Sequence, residues 1–243
     1  MDITNESSVG EVVAQDFRTA QIFNFYGIDF CCGGKKTISD VCATMHLDAN
    51  EVLDALSKTM NDTSLKEDNF QEWTLDKLIQ YIVEKHHDYI RKKVPFLLQI
   101  LEKVKSVHGN VHPELYELYD VFKASAEEIL LHLNKEESIL FPYIQHLLDI
   151  QKSREDLDTP PFLTVRNPIL VMENDHEMEG ERLRRITKLT NEFTPPKDAC
   201  NSYNIAYREL EAYVEDLHKH IHLENNILFP KAIIIENECL LSA

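Results

Sequence analysis

His220-Ile221-His222-Leu223-Glu224-Asn225-Asn226-Ile227-Leu228-Phe229-Pro230 has a second copy earlier in the chain, His132-Leu133-Asn134-Lys135-Glu136-Glu137-Ser138-Ile139-Leu140-Phe141-Pro142. Both read His-x-x-x-Glu, then an apolar pair, then Phe-Pro at the same offset. On a helix, residues four apart share a face with Cβ atoms about 5–6 Å apart, so each His and Glu can reach one metal centre. Two such faces read as two halves of a single site, and the rest of the chain has to supply the missing ligands.

Working outward, a lone histidine precedes each copy. His87 stands 45 residues before His132, and His176 stands 44 before His220. The spacing predicts a first helix from Thr74 to about Val107, with Pro95 expected to kink it. A second starts near Pro113 and passes Leu115, Leu118, Phe122, Ile129 and Leu140. A third runs from about Pro168 to Leu189, and a fourth covers about 199–235. Pro142 and Pro230 are expected to end or kink the two ligand helices. Residues 150–165 form the longest connection. Each half is a helical hairpin too small to bury its own apolar face, so pairing the halves makes the core. The expected fold class is all-α, with a four-helix bundle over residues 74–243.

Residues 1–60 read as a small helical unit and 61–73 as a linker. Ser8-Val9-Gly10-Glu11 has the form of a capping box and opens one helix through Val12, Phe17 and Phe23 to Tyr26, with Gly27 as its left-handed cap. Thr37 and then Asp48 or Asn50 cap two more. Between Gly27 and Thr37 lies the loop Phe30-Cys31-Cys32-Gly33-Gly34-Lys35-Lys36.

A net charge of −17 repels nucleic acid. Met1-Asp2-Ile3-Thr4-Asn5-Glu6 shows no secretory signal, and no apolar run approaches the ~18–20 residues of a membrane span. Five cysteines, two of them adjacent, make a poor disulfide framework and fit a reducing cytoplasm. The expectation is a cytoplasmic protein, monomer or homodimer, without nucleic-acid or membrane partners.

The candidate ligands are His87, His132, Glu136, His176, His220 and Glu224. Four imidazoles and two carboxylates from four helices fit a dinuclear site; imidazole suits iron, zinc, copper and nickel, and carboxylate adds a preference for iron or manganese. Two metals sharing both glutamates keep positions open for a small ligand. Acidic residues three or four positions before each histidine, namely Glu84, Glu128, Glu173 and Asp216, are candidates to accept the second ring N–H. Only periodicity favours His87 over His86. His218 and His222 have no counterpart in the first half and read as exposed or as outer partners; His46, His108, His112 and His146 read as surface residues. Phe141 and Phe229 read as core packing that keeps the site dry. Beside Cys31 and Cys32, Lys35 and Lys36 favour thiolate in a loop that Gly33-Gly34 makes approachable. One reading is a redox, iron-transfer or partner-docking pair; the other is a buried turn in which the thiols merely pack.

With these residues in view, the chain resembles the repair of iron centres family of di-iron hemerythrin-like proteins. Tyr26-Gly27-Ile28-Asp29-Phe30-Cys31-Cys32-Gly33-Gly34-Lys35 matches its short N-terminal Cys-Cys-Gly-Gly domain. His132-x-x-x-Glu136, Val171-Met172-Glu173-x-Asp175-His176 and His220-x-x-x-Glu224-Asn225-Asn226 match its hemerythrin-like domain. The resemblance implies two non-haem iron ions, oxo- and carboxylate-bridged, with His87, His132, His176 and His220 as ligands and Glu136 and Glu224 as bridges. It implies repair of iron–sulfur proteins damaged by nitrosative or oxidative stress, as an iron donor or by nitric oxide reduction. The alternative is a sensor or carrier of oxygen or nitric oxide; the extra histidine and His-x-x-x-x-Asp ending of oxygen carriers are missing.

Overall fold

The computed structural model describes residues 3–62, 69–153 and 157–242. Among them every named element is helical, and Ser8 and Thr37 form an isolated strand-like bridge. Met1 and Asp2, residues 63–68 of the expected linker and 154–156 of the expected long connection lie outside the described residues.

Side-chain caps set the N-terminal unit. Helix α1 (Val9–Gln15) starts where Ser8 Oγ accepts the Glu11 N–H at 3.3 Å. Helix α3 (Ile38–Met45) starts at Thr37 and α4 (Ala49–Asn61) at Asp48, whose oxygens accept from Asp40 N–H at 3.1 Å and Asn50 N–H at 2.9 Å. The single helix expected from Ser8 to Tyr26 is in fact two. Asp16 is extended, and its carboxylate takes the Arg18 N–H at 3.1 Å, so the chain restarts as α2 (Thr19–Phe25). An aspartate that bonds its own local backbone competes with the helical ladder. Gly27 then closes α2 at φ +69°.

Four rods build the bundle. The first joins α5 (Leu75–Tyr81), a π turn (Ile82–His87) and α6 (Asp88–His108), with Pro95 inside α6. The second joins α7 (Glu114–Lys135), a π turn (Glu136–Leu140) and α8 (Phe141–Ser153). The third is α9 (Arg166–Leu189); the fourth joins α10 (Asn201–Leu223), a π turn (Glu224–Leu228) and α11 (Phe229–Ser242). Helix α6 packs on α7 and α10, α7 on α9, and α8 on α11.

Pro142 and Pro230 do not end the ligand helices, since α8 and α11 run on through them. Each proline follows directly on a π turn, where Phe141 and Phe229 N–H groups reach back five residues to the Glu136 and Glu224 carbonyls. The regular ladder is already offset there, so a missing N–H costs little.

Two apolar clusters fill the molecule. One contains Leu78, Ile82, Leu140, Phe141, Met172, Ile227 and Phe229. The other holds Ile90, Ile129, Leu133, Leu183 and Leu217, and also Val9, Phe23, Ile28 and Ile38, so the N-terminal unit and the bundle share one core. Every rod passes from one cluster to the other at a histidine: His87 between Ile82 and Ile90, His132 and Glu136 between Ile129 and Leu140, His176 between Met172 and Leu183, His220 and Glu224 between Leu217 and Ile227. The candidate ligands form a polar belt between the clusters.

Candidate metal centre

All six candidate ligands are buried, and His87, Glu136, His220 and Glu224 are 0% exposed. Their donor atoms fall into two groups, each within 4.8 Å: His87, Glu136, His220 and Glu224, and His132, Glu136, His176 and Glu224. Each glutamate faces two histidines of its own half. Glu136 lies 3.3 Å from His132 Nε2 and 3.4 Å from His87 Nε2; Glu224 lies 2.9 Å from His220 Nε2 and 3.2 Å from His176 Nε2. The histidines pair across halves, His87 with His220 at 3.2 Å and His176 with His132 at 3.0 Å between Nε2 atoms. Both groups therefore draw on both hairpins, which share Glu136 and Glu224.

Charge explains why such a set needs a cation. Burial pushes the Glu224 carboxyl up, but His220 and His176 outweigh it and hold it well below the usual carboxylate range. Burial and the neighbouring Glu224 likewise oppose ionised Glu136, and His132 and His87 bring it below its ordinary value. Burial disfavours charged His132, yet Glu136 and Asp175 raise it to about 10. At His220 burial wins, and its pKa is lowered. Both Glu136 oxygens, Glu224 Oε2 and His220 Nδ1 are buried without a hydrogen bond among the described residues. Buried carboxylates left so are costly unless cations meet them. Two dications between six N/O donors answer that need, so the residues fit a dinuclear metal group.

Comparison with known proteins shows the family. Residues 78–232 match the family described as Hemerythrin HHE cation binding domain, and residues 5–60 match ScdA_N, described as Domain of Unknown function (DUF542). The iron-sulfur cluster repair protein YtfE of Yersinia pseudotuberculosis (serotype O:1b) is 36% identical over 233 residues, which cover 96% of this chain and 99% of that relative. The same figures hold for YtfE of Yersinia pestis (strain Pestoides F). The chain belongs to this hemerythrin-like iron–sulfur cluster repair family.

The partners of the outward ring nitrogens differ from those the sequence suggests. His87 Nδ1 meets Glu137 at 2.6 Å, His132 Nδ1 meets Asp175 at 3.4 Å, and His176 Nδ1 meets Asn225 at 2.8 Å. Glu84 instead takes Gln80, Glu173 takes Lys35, Asp216 takes His86, and Glu128 lines a narrow cavity beside His132. The physical reason is direction. With Nε2 turned into the bundle, Nδ1 points across to the next rod, not back along its own helix. The sequence signal was adjacency, because Glu137 and Asn225 follow the shared glutamates and Asp175 precedes His176.

Phe141 and Phe229 do pack in the core, stacking on His87 and His176 at 5.7 and 6.0 Å. His222 is not exposed. It lies between Phe17 and Phe30, Asn226 Nδ2 meets its Nδ1 at 3.0 Å, and burial lowers its pKa to about 3. His218 is half-buried against Phe30. Of the expected surface histidines, His46 and His146 are exposed, while His108 touches Cys200 and His112 pairs with Asp198.

The cysteine loop sits on the second half of the bundle. Cys31 is 5% exposed, and its bond to Cys32, burial and Asp29 all raise its thiol well above the ordinary value. The expected exposed thiolate is therefore not found at Cys31, and Lys35 points to Glu173 at 2.7 Å. Cys32 is half-buried on a cleft of about 530 Å³, with Sγ 3.3 Å from the His176 carbonyl. Asn225 links the two regions: its Oδ1 accepts from His176 Nδ1, and its Nδ2 donates to the Cys31 carbonyl at 3.2 Å.

Proposed function

We propose that this protein serves the repair of damaged iron–sulfur clusters with two iron ions held among His87, His132, Glu136, His176, His220 and Glu224. The observation that supports the reading is the pair of four-donor groups sharing both glutamates in a belt with unpartnered buried oxygens. The name carried by the Yersinia relatives supplies the biological direction. Bound iron would supply a transferable metal and electron exchange with small ligands such as nitric oxide or oxygen.

The protein's own share is arrangement. Glu137, Asp175 and Asn225 fix three ring orientations from outside. Phe141 and Phe229 close the belt against water. Loading must displace the proton that Glu136 and Asp175 stabilise on His132. A narrow cavity lined by Glu128, His132, Asp175, His176 and Arg182 admits little more than a water-sized ligand to one group.

Iron analysis of aerobically purified protein should give about two ions per chain; stoichiometric zinc without iron absorption would refute the reading. Iron transfer to an apo iron–sulfur protein and nitric oxide turnover, measured on one preparation, separate donation from reduction. Reversible ligand binding with neither would favour a sensor or carrier. No helix among the described residues is long and apolar enough to cross a membrane.

A further inference from the structure

The four rings are not held alike. Three have an outward partner, but His220 Nδ1 is buried and has none among the described residues. The duplication shows where the fourth partner should stand. Glu137 and Asn225 occupy matching places after the two shared glutamates, and each braces the lone histidine of its own half. Asp175, immediately before His176, reaches across to His132 and is steadied by Lys135 at 2.9 Å. The place matching Asp175 is the residue before His87, and it is His86.

His86 does lie against His220. Their rings are parallel, 8° apart with centroids at 5.7 Å. However, His86 Nδ1 turns away to Asp216 Oδ1 at 3.0 Å, and its Nε2 is buried without a partner among the described residues. An imidazole stacked on a ligand ring cannot do what a carboxylate does there, which is to accept the N–H and raise the ligand's basicity. Resting on the site reading above, we infer that the two ion positions are unequal: the ion between His87 and His220 is the exchangeable one, and His86 sets that difference.

His87 keeps a strong partner in Glu137, itself paired with Arg91 at 2.8 Å, so the weak point of that position is His220 alone. At the other position both rings are braced, by Asp175 and Asn225. A donor built this way gives up one ion while the second still neutralises the two buried glutamates.

The test loads the full-length chain with ferrous iron under anaerobic conditions, strips it with excess ferrous chelator and follows the released complex by absorbance. The wild type should lose its iron in two phases of equal amplitude, about tenfold or more apart in rate, the lower end of what outer partners contribute. His86→Asp should slow the first phase by about tenfold. Asp175→Asn, which keeps the assay informative if a buried aspartate at 86 prevents folding, should speed the slow phase by a similar factor and leave the fast one unchanged. Two ions leaving in a single phase, or Asp175→Asn acting on the fast phase, would overturn the inference while leaving the site reading intact. Loading of fewer than two ions would overturn both.

Discussion

The two copies of the His-x-x-x-Glu motif share a ligand layout and differ in what lies behind it. In the first copy, Glu137 and Ser138 face outward: Glu137 joins His87 to Arg91, and Ser138 bonds the Asn134 carbonyl of its own helix. In the second, Asn225 and Asn226 face the cysteine loop. Asn226 Nδ2 donates to the Phe30 carbonyl at 3.2 Å, and Gly10 and Gly34 both crowd its Oδ1. A Cβ on Gly34 would stand 2.6 Å from that oxygen, so glycine is what allows the approach. One copy thus holds ligands alone, while the other also carries the N-terminal unit. The lesson is that a duplicated motif keeps its inward chemistry and diverges on its outer face.

The shared side of the comparison gives the largest expected effect. Glu136→Ala and Glu224→Ala should each lower iron affinity by more than the roughly 10–100-fold that outer partners are worth. Iron content per chain and the iron absorption check this; unchanged values in either mutant break the equivalence of the halves. Next, Glu137→Gln and Asn225→Ala should each weaken iron retention by about tenfold. Asn225→Ala alone should also speed alkylation of Cys32, as mapped by mass spectrometry, because it removes the tie between His176 and the Cys31 carbonyl.

A third pair compares matching positions directly. Asn226→Ala removes the hydrogen bonds from its amide to the Phe30 carbonyl and His222 Nδ1 and should cost about 1–3 kcal/mol by denaturant unfolding. Ser138→Ala should stay within about 0.5 kcal/mol. Equal costs would remove the distinction between the outer faces.

The smallest effect lies at the far end, where His112, between α6 and α7, ties Asp198, between α9 and α10, at 3.1 Å. Asp198 raises the pKa of His112. Its contribution is therefore fully present below the ordinary histidine range and lost as pH rises through the raised value. His112→Gln should lower Tm more at about pH 5.5 than at about pH 9.

Much of this was legible in the residues. The caps at Ser8, Thr37 and Asp48 act locally, and the repeated spacing brought six donors from four rods into one belt. What escaped were choices between competing local bonds and directions across helices. Asp16 broke one expected helix, π turns carried two rods past Pro142 and Pro230, and the outward nitrogens of His87, His132 and His176 found partners on neighbouring rods.

The sequence by itself determined the all-α class, the hairpin duplication and the residues of the candidate site, because helical period and His-x-x-x-Glu spacing act within a few turns of one chain. Only the tertiary structure decided that His87 groups with His220 and His132 with His176, that Cys31 is buried against the second half, and that His86 stands where the other half has Asp175. Those relations depend on how rods lie side by side, and a periodicity along one helix carries no record of which neighbour its far edge will meet.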